Sequence, residues 1–241
     1  MHKFDVSSIK ALTFDVFGTV VDWRSTVIQE LQQLGEAKGI KADWSRFADD
    51  WRIKGYISAT ARVQRGELPW MNVDRLHRIM FDELLIEFGV TGLDEAEKDH
   101  LNRVWHRLKP WSDVIGGLKR LRKQYLLSTL SNGNIALLTN MAKNAGLPWD
   151  CILSSELARC YKPDPLVYQV AVDLLGLLPN QVMMVAAHKG DLQGARSIGM
   201  KTAFIPRPLE YGPVLKENTA DEPWLDLYAT DFNELAKKLG A

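Results

Sequence analysis

The sequence predicts an α/β protein, a doubly wound parallel sheet interrupted near its start by an all-helical insertion. Three observations predict it. Short apolar runs that end in a polar residue or glycine, such as Ala11-Leu-Thr-Phe14 before Asp15, read as buried strands. Beyond residue 110 such runs alternate with helical stripes, and β–α alternation implies parallel strands covered on both faces. Between residues 23 and 109 only helical periodicity is present. The expected division is residues 1–22 with 110–241 as the core, and 23–109 as a helical cap domain carrying no strand.

The first run carries the chain into Asp15, and Gly18 then allows a sharp turn. In open α/β sheets ligands bind at the carboxyl edge of the strands, where Asp15 would stand. A carboxylate fixed there serves as a nucleophile, or else it caps the loop that follows. Four helical stripes come next. Val27, Leu31 and Leu34 form one, closed by Gly39. Trp44, Phe47, Ala48, Trp51 and Gly55 form a second, with Arg52 one step, about 100°, off its axis. Val73, Leu76, Met80 and Leu84 with Ile79 form a third, and Leu101, Val104, Trp105 and Leu108 a fourth, stopped by Pro110.

Alternation then resumes. Val114, Leu118 and Leu121 predict a helix, 125–130 a strand, 135–145 a helix and 151–153 a short strand. Pro163 and Pro165 precede a helix read through Leu166, Val170 and Leu174. A buried strand over 182–187 leads to a helix opened by Asp191; 201–205 is the last strand expected, and 231–239 the closing helix.

Thirty basic and thirty acidic residues leave no formal net charge, which argues against a nucleic-acid or membrane-surface partner. An apolar share of 46% and a charged share of 25% are those of an ordinary globular chain. No apolar leader precedes the first strand and no stretch approaches membrane-spanning length. Cys151 and Cys160 form no CxxC pair and have no histidine cluster, so reduced thiols in the cytoplasm are expected rather than a disulfide or zinc site.

Polar groups recur where predicted strands end: Asp15, Ser131-Asn132, Lys162, and His188 with Asp191. Each has a plainer reading. Ser131 could cap a helix, Lys162 could be a solvated loop lysine, Asp191 could cap the helix it opens, and His188 could be structural. Their coincidence on one edge favours a site.

Together, Asp15-x-x-Gly18-Thr19, Leu130-Ser-Asn-Gly133, Tyr161-Lys-Pro-Asp164 and Asp191 resemble the four motifs of the haloacid dehalogenase superfamily, a Rossmann-like core with an inserted cap. Most members resembling this pattern are magnesium-dependent phosphatases, with a second Asp where this chain has Phe17 and a further acidic ligand where it has Ala186-Ala-His188. A hard cation wants several oxygen ligands, so a metal site is not expected, nor any other cofactor. The remaining pattern resembles the L-2-haloacid dehalogenase branch. Asp22-Trp-Arg24, Trp51-Arg52, Trp105-His106, Leu108-x-Pro-Trp111, Ser131-Asn-Gly-Asn134, Met141-Ala-Lys-Asn-Ala-Gly146 and Ala186-Ala-His188 are similar to a subgroup that includes defluorinating enzymes.

That resemblance implies hydrolysis of short 2-haloalkanoic acids through an aspartyl ester on Asp15. It implies that Lys162 and Thr19 hold Asp15, and that Ser131 with backbone N–H groups near Val16, Phe17 and Asn132 binds the substrate carboxylate. It implies further that Arg52 accepts the halide, Tyr168 lines or braces the site, and Asp191 orients Lys162. Without the resemblance, Arg52 reads as an exposed arginine on a helix flank. Better-known dehalogenases of the branch carry Ser at Ala186 and Asn at His188, so His188 is assigned to the halide pocket or to water activation. Lys189 is another departure and is expected to point to solvent. The resemblance also implies a homodimer. Two alternatives keep the same scaffold, a magnesium-dependent small-molecule phosphatase and an inactive anion-binding relative.

Overall fold

A computed structural model describes residues 5–213 and 219–241. Residues 1–4, part of the opening read above for an apolar leader, lie outside them. The first strand, β1 (Ala11–Phe14), is buried along its whole length. After the Asp15–Val20 turn comes β2 (Val21–Asp22). Asp22 accepts the Ser25 N–H and so caps α1 (Trp23–Lys38), the first helix of the insertion.

Helix α2 (Trp44–Asp50) runs into a π-helical segment, Trp51–Ile57, and then into α3 (Ser58–Gln64). Helices α4 (Val73–Glu87) and α5 (Glu95–Asn102) follow, the latter opened by a reciprocal Asp94–Glu97 capping box. A 3₁₀ turn, Arg103–His106, leads to β3 (Lys109–Pro110). Strands β2 and β3 pair antiparallel, Val21 with Pro110 and Asp22 with Lys109, so a two-stranded ribbon closes the neck of the insertion. The strand-free reading of residues 23–109 therefore fails at Lys109. Two-residue strands leave no periodic signal to read.

The main sheet then builds up. Helix α6 (Val114–Leu121), β4 (Leu126–Ser131), α7 (Ile135–Ala145) and β5 (Cys151–Ser154) come first. They are followed by α8 (Pro165–Leu175), β6 (Val182–Ala186), α9 (Lys189–Ser197) and β7 (Lys201–Phe204). The chain closes with β8 (Leu227–Tyr228) and α10 (Phe232–Lys238). Six strands lie in the order β5-β4-β1-β6-β7-β8, and every pairing is parallel. Strand β8 is an addition to the expected set, too short to register as an apolar run.

The stripe expected for α4 holds at Val73, Leu76 and Leu84, which are buried, and at Met80, which is half-buried; Ile79 is exposed, and the face widens instead through His77, Phe81 and Leu85, with Phe81 stacked on Trp51 at 4.7 Å between centroids. The stripe expected for the later helix sits one step off. In α8 the buried residues are Val167, Tyr168, Ala171 and Val172, and Leu166 and Leu174 face outward. No helix among the described residues is long and apolar enough to cross a membrane.

Helices α6 and α10 meet so closely that a Cβ on Gly117 would lie 2.5 Å from Phe232 Cβ and 2.6 Å from its carbonyl oxygen. Gly117→Ala should therefore destabilise by about 1–3 kcal/mol through overpacking. Gly116→Ala, whose nearest atom would be 3.6 Å away, should be neutral or mildly stabilising through helix propensity. Urea denaturation of the two variants checks this, and equal stabilities would contradict the packing.

Candidate active site

With β1 between β4 and β6, three strand ends deliver side chains to one place. Asp15 leaves β1 with its N–H still bonded to the Val185 carbonyl at 3.0 Å, so it is set by the sheet. The turn after it folds back tightly: the Val20 and Val21 N–H groups both donate to the Val16 carbonyl, at 2.9 and 3.1 Å. Gly18 supplies the positive φ, +84°, that this turn needs. The indole N–H of Trp111 donates to the Gly18 carbonyl at 2.8 Å, and Arg207 Nε to the Thr19 carbonyl at 2.9 Å.

The Asp15 carboxylate is almost wholly buried, and each oxygen is held separately. Oδ1 accepts from Lys162 Nζ at 3.0 Å. Oδ2 accepts from Thr19 Oγ1 at 2.7 Å and lies 3.0 Å from His188 Nδ1. Thr19 Oγ1 itself accepts the Ala187 N–H at 2.8 Å, which turns its hydroxyl proton toward Asp15. All three donors of Lys162 are engaged: with Asp15, with the Leu130 carbonyl at 2.9 Å, and with Asp191 Oδ2 at 2.5 Å. The Tyr168 hydroxyl donates to Asp191 Oδ1 at 2.7 Å. Asn132 Oδ1 accepts the Lys162 N–H at 2.8 Å.

A cavity of about 250 Å³ opens onto this cluster. Asp15, Phe17, Arg52, Ser131, Asn132, Lys162, His188 and Asp191 line it, as the sequence reading anticipated. Three anticipated residues do not. Val16 is buried and serves the turn through its carbonyl, Thr19 lies beneath Asp15, and Tyr168 braces Asp191 from behind. Tyr56, Ile57, Pro163, Gly190 and Tyr211 complete the wall and were not anticipated.

Arg52 reaches this wall because of the π segment, where one extra residue per turn re-aims the following side chains. The reading as an exposed flank arginine is wrong; the residue is buried. Its guanidinium lies 4.6 Å from the Tyr56 ring, 5.5 Å from Phe17 and 5.6 Å from Trp23. Buried Nε and Nη1 meet no hydrogen-bond acceptor. A cation in an aromatic cage with uncommitted donors is a receptor for an anion.

The residue that sequence reasoning missed outright is Glu210. Its side chain is fully buried, Oε2 lies 2.9 Å from His188 Nε2, and Oε1 accepts the Trp23 indole N–H at 3.1 Å. Glu210 follows β7, and asking what stands beyond the end of that strand, as for the others, would have found it. Lys189, expected in solvent, instead pairs with Glu222 at 2.5 Å and lies over the Phe204 ring.

Burial works against the charged forms of these groups, and pairing outweighs it. For Asp15, burial raises the pKa, but Lys162, His188 and Thr19 together bring it well below the ordinary 3.8. For His188, burial favours the neutral ring, but Glu210 and Asp15 hold its pKa well above 6.5. Lys162 stays charged for the same reason, against its own burial. Asp191 goes the other way: burial and then the Asp15 charge raise its pKa despite Lys162 and Tyr168. The set does not suit a divalent cation. Two cations already face Asp15, the Phe17 ring packs edge-on to Trp105, and Ala187 offers an N–H already given to Thr19.

Folding thus gives His188 a proton that free histidine loses near pH 6.5. The associated stability is fully present below 6.5 and is lost as pH rises through the raised value. Nitrogen NMR should show both ring N–H groups of His188 persisting at about pH 7.5, with urea stability declining as the ring titrates. A neutral ring at that pH would refute the arrangement.

The family model of haloacid dehalogenase-like hydrolases matches residues 9–199. (S)-2-haloacid dehalogenase 4A of Burkholderia cepacia is 29% identical over 231 residues, 91% of this chain and 95% of that protein. Among solved structures, the L-2-haloacid dehalogenase PA0810 superposes with a TM-score of 0.92 at 46% identity, over 96% of this chain and 99% of that one. The defluorinating L-2-haloacid dehalogenase Rha0230 superposes equally, at 0.92 and 41% identity, over 97% and 96% of the two chains. The family match spans β1 to the end of α9, and with them Asp15, Lys162, His188 and Asp191; the chain belongs to the haloacid dehalogenase-like hydrolases.

Proposed function

We propose that this protein hydrolyses the carbon–halogen bond of short 2-haloalkanoic acids to give 2-hydroxy acids, with Asp15 as nucleophile and no metal or organic cofactor. Chloroacetate and L-2-chloropropionate are the expected substrates, and fluoroacetate is the demanding case. The observation that carries the reading is an ionised, sheet-anchored carboxylate sharing one small cavity with a caged arginine whose donors are uncommitted. The similarity to named haloacid dehalogenases supports it.

In the first step Asp15 attacks the halogen-bearing carbon in line with the breaking bond, inverting it and forming an ester. Lys162 keeps the nucleophile charged and aimed. Ser131, Asn132 and backbone N–H groups near Val16 and Phe17 hold the substrate carboxylate. Arg52 receives the departing halide, and its cage of Phe17, Trp23 and Tyr56 keeps water from competing for the guanidinium. Water then attacks the ester. Asp191, with its raised pKa and its place on the cavity wall, takes the proton, and Tyr168 holds it in position.

The same reading treats residues 1–22 with 110–241 as the core and 23–109 as a cap, with the β2–β3 ribbon as their joint. It also takes a homodimer from the resemblance, a cytoplasmic place from the free Cys151 and Cys160, and the lack of nucleic-acid or membrane partners from the balanced charge.

Chloride release from chloroacetate should proceed in EDTA, and Asp15→Asn should lower it by at least about a thousandfold. A single turnover in heavy-oxygen water should label Asp15 before product. Full activity of the variant, or turnover only of aryl phosphates with magnesium, sinks the reading. Arg52→Lys keeps the charge but loses the planar fork, so kcat should fall by roughly a hundredfold with KM little changed. A rise in KM alone would instead make Arg52 a ground-state binder.

A further inference from the structure

We infer that His188, clamped by Glu210, is the oxyanion donor for hydrolysis of the ester, and that Glu210 is its positioning residue. The inference rests on the dehalogenase reading above and assigns roles within its second half-reaction.

A carboxylate oxygen has two acceptor sites in its plane. Both sites of Asp15 Oδ2 are filled, by the Thr19 hydroxyl at 2.7 Å and His188 Nδ1 at 3.0 Å. Oδ1 accepts one bond, from Lys162, and keeps one lone pair free. Oδ1 is therefore the attacking atom. Its lone pair forms the bond to the substrate carbon, the carbon–halogen pair leaves with the halide, and Oδ2 becomes the ester carbonyl oxygen.

The second step follows from that assignment. Water adds to Cγ, one of its protons passes to Asp191, and the carbonyl π pair moves onto Oδ2. The developing oxyanion meets two donors already in place, the Thr19 hydroxyl and the His188 Nδ1–H. The tetrahedral centre then collapses. Its pair re-forms the Cγ–Oδ2 double bond, the Cγ–Oδ1 bond breaks, and the 2-hydroxy acid leaves with the proton from Asp191. Asp15 loses the remaining water proton to solvent, so one proton is released per halide.

Glu210 is needed because only the doubly protonated ring donates to Oδ2 and to Glu210 at the same time. A neutral ring beside Glu210 would keep its proton on Nε2, turning a bare lone pair toward Oδ2. In the free enzyme two carboxylates hold the second proton, but ester formation removes the charge of one. Glu210 is untouched by the chemistry and is held by Trp23, so it keeps the ring cationic through the ester stage. The turn leaves room for it: a Cβ on Gly18 would lie 2.1 Å from Glu210 Oε1.

The test separates the two half-reactions of the intact enzyme with chloroacetate, by rapid-quench chloride release and intact-protein mass spectrometry. Glu210→Gln should keep the first-turnover chloride burst within about threefold of wild type. Its steady-state rate should fall between roughly tenfold and a hundredfold, with the ester adduct dominating the mass spectrum. Should that variant fail to fold, His188→Ala, which removes a side chain a quarter exposed and leaves no donor in its place, should slow steady-state turnover more than the first-turnover burst and so raise the share of ester adduct. Burst and turnover falling together, or turnover at wild-type speed, overturns the assignment while leaving the dehalogenase reading intact. A wild-type enzyme that releases no chloride overturns both.

Discussion

A charged carboxylate at the end of β1, gripped by a cation on either side, is the constraint on which the rest depends. Asp15 is buried between Lys162 and His188, and an isolated charge in that position would cost far more than folding can supply. Three acidic groups, Asp15, Asp191 and Glu210, pair with Lys162 and His188, while Arg52 stands on the cavity wall with buried donors uncommitted. Pairing keeps Asp15 ionised without a metal, and an ionised oxygen with a free lone pair is what displacement at a saturated carbon needs.

The parallel sheet brings most of these groups together. Strands β1, β4 and β6 deliver Asp15, Ser131 and His188 to one edge, and the loop before α8 swings Lys162 in beneath them. The helical insertion contributes Arg52 from its π segment and Trp23, which anchors Glu210. Several bonds tie the insertion to the core. Asp74 joins His106 and Asn134, each at 2.9 Å, and Asn140 reaches the other ring nitrogen of His106 at 3.0 Å. Gln64 donates to the carbonyls of Tyr161 and Lys162, so the loop holding the site lysine also touches the insertion.

Much of the site was legible because strand ends are legible. Asp15, Ser131 and His188 each follow an apolar run, and Lys162 stands between a short strand and a proline-marked helix start. Arg52 was readable only by resemblance, since helical spacing puts it off the apolar stripe, and the π segment that turns it inward has no periodic signature. Glu210 was missed because it lies in an irregular stretch beyond β7, where neither helix nor strand pattern draws the eye. Lys189 was misplaced for a related reason: its partner Glu222 is far along the chain, in a segment without repeating pattern.

By itself the sequence determined the longer elements, their alternation, and hence a parallel sheet with chemistry at one edge, because periodicity and turn residues act locally. It also argued against a hard cation beside Asp15, because the side chains of Phe17 and Ala187 carry no oxygen. Only the tertiary structure decided which oxygen of Asp15 is free, that His188 stands between two carboxylates, and that Arg52 faces the cavity. Those are matters of a few ångströms between residues distant in sequence. Burial and charge pairing, which set them, exist only once the chain has closed on itself.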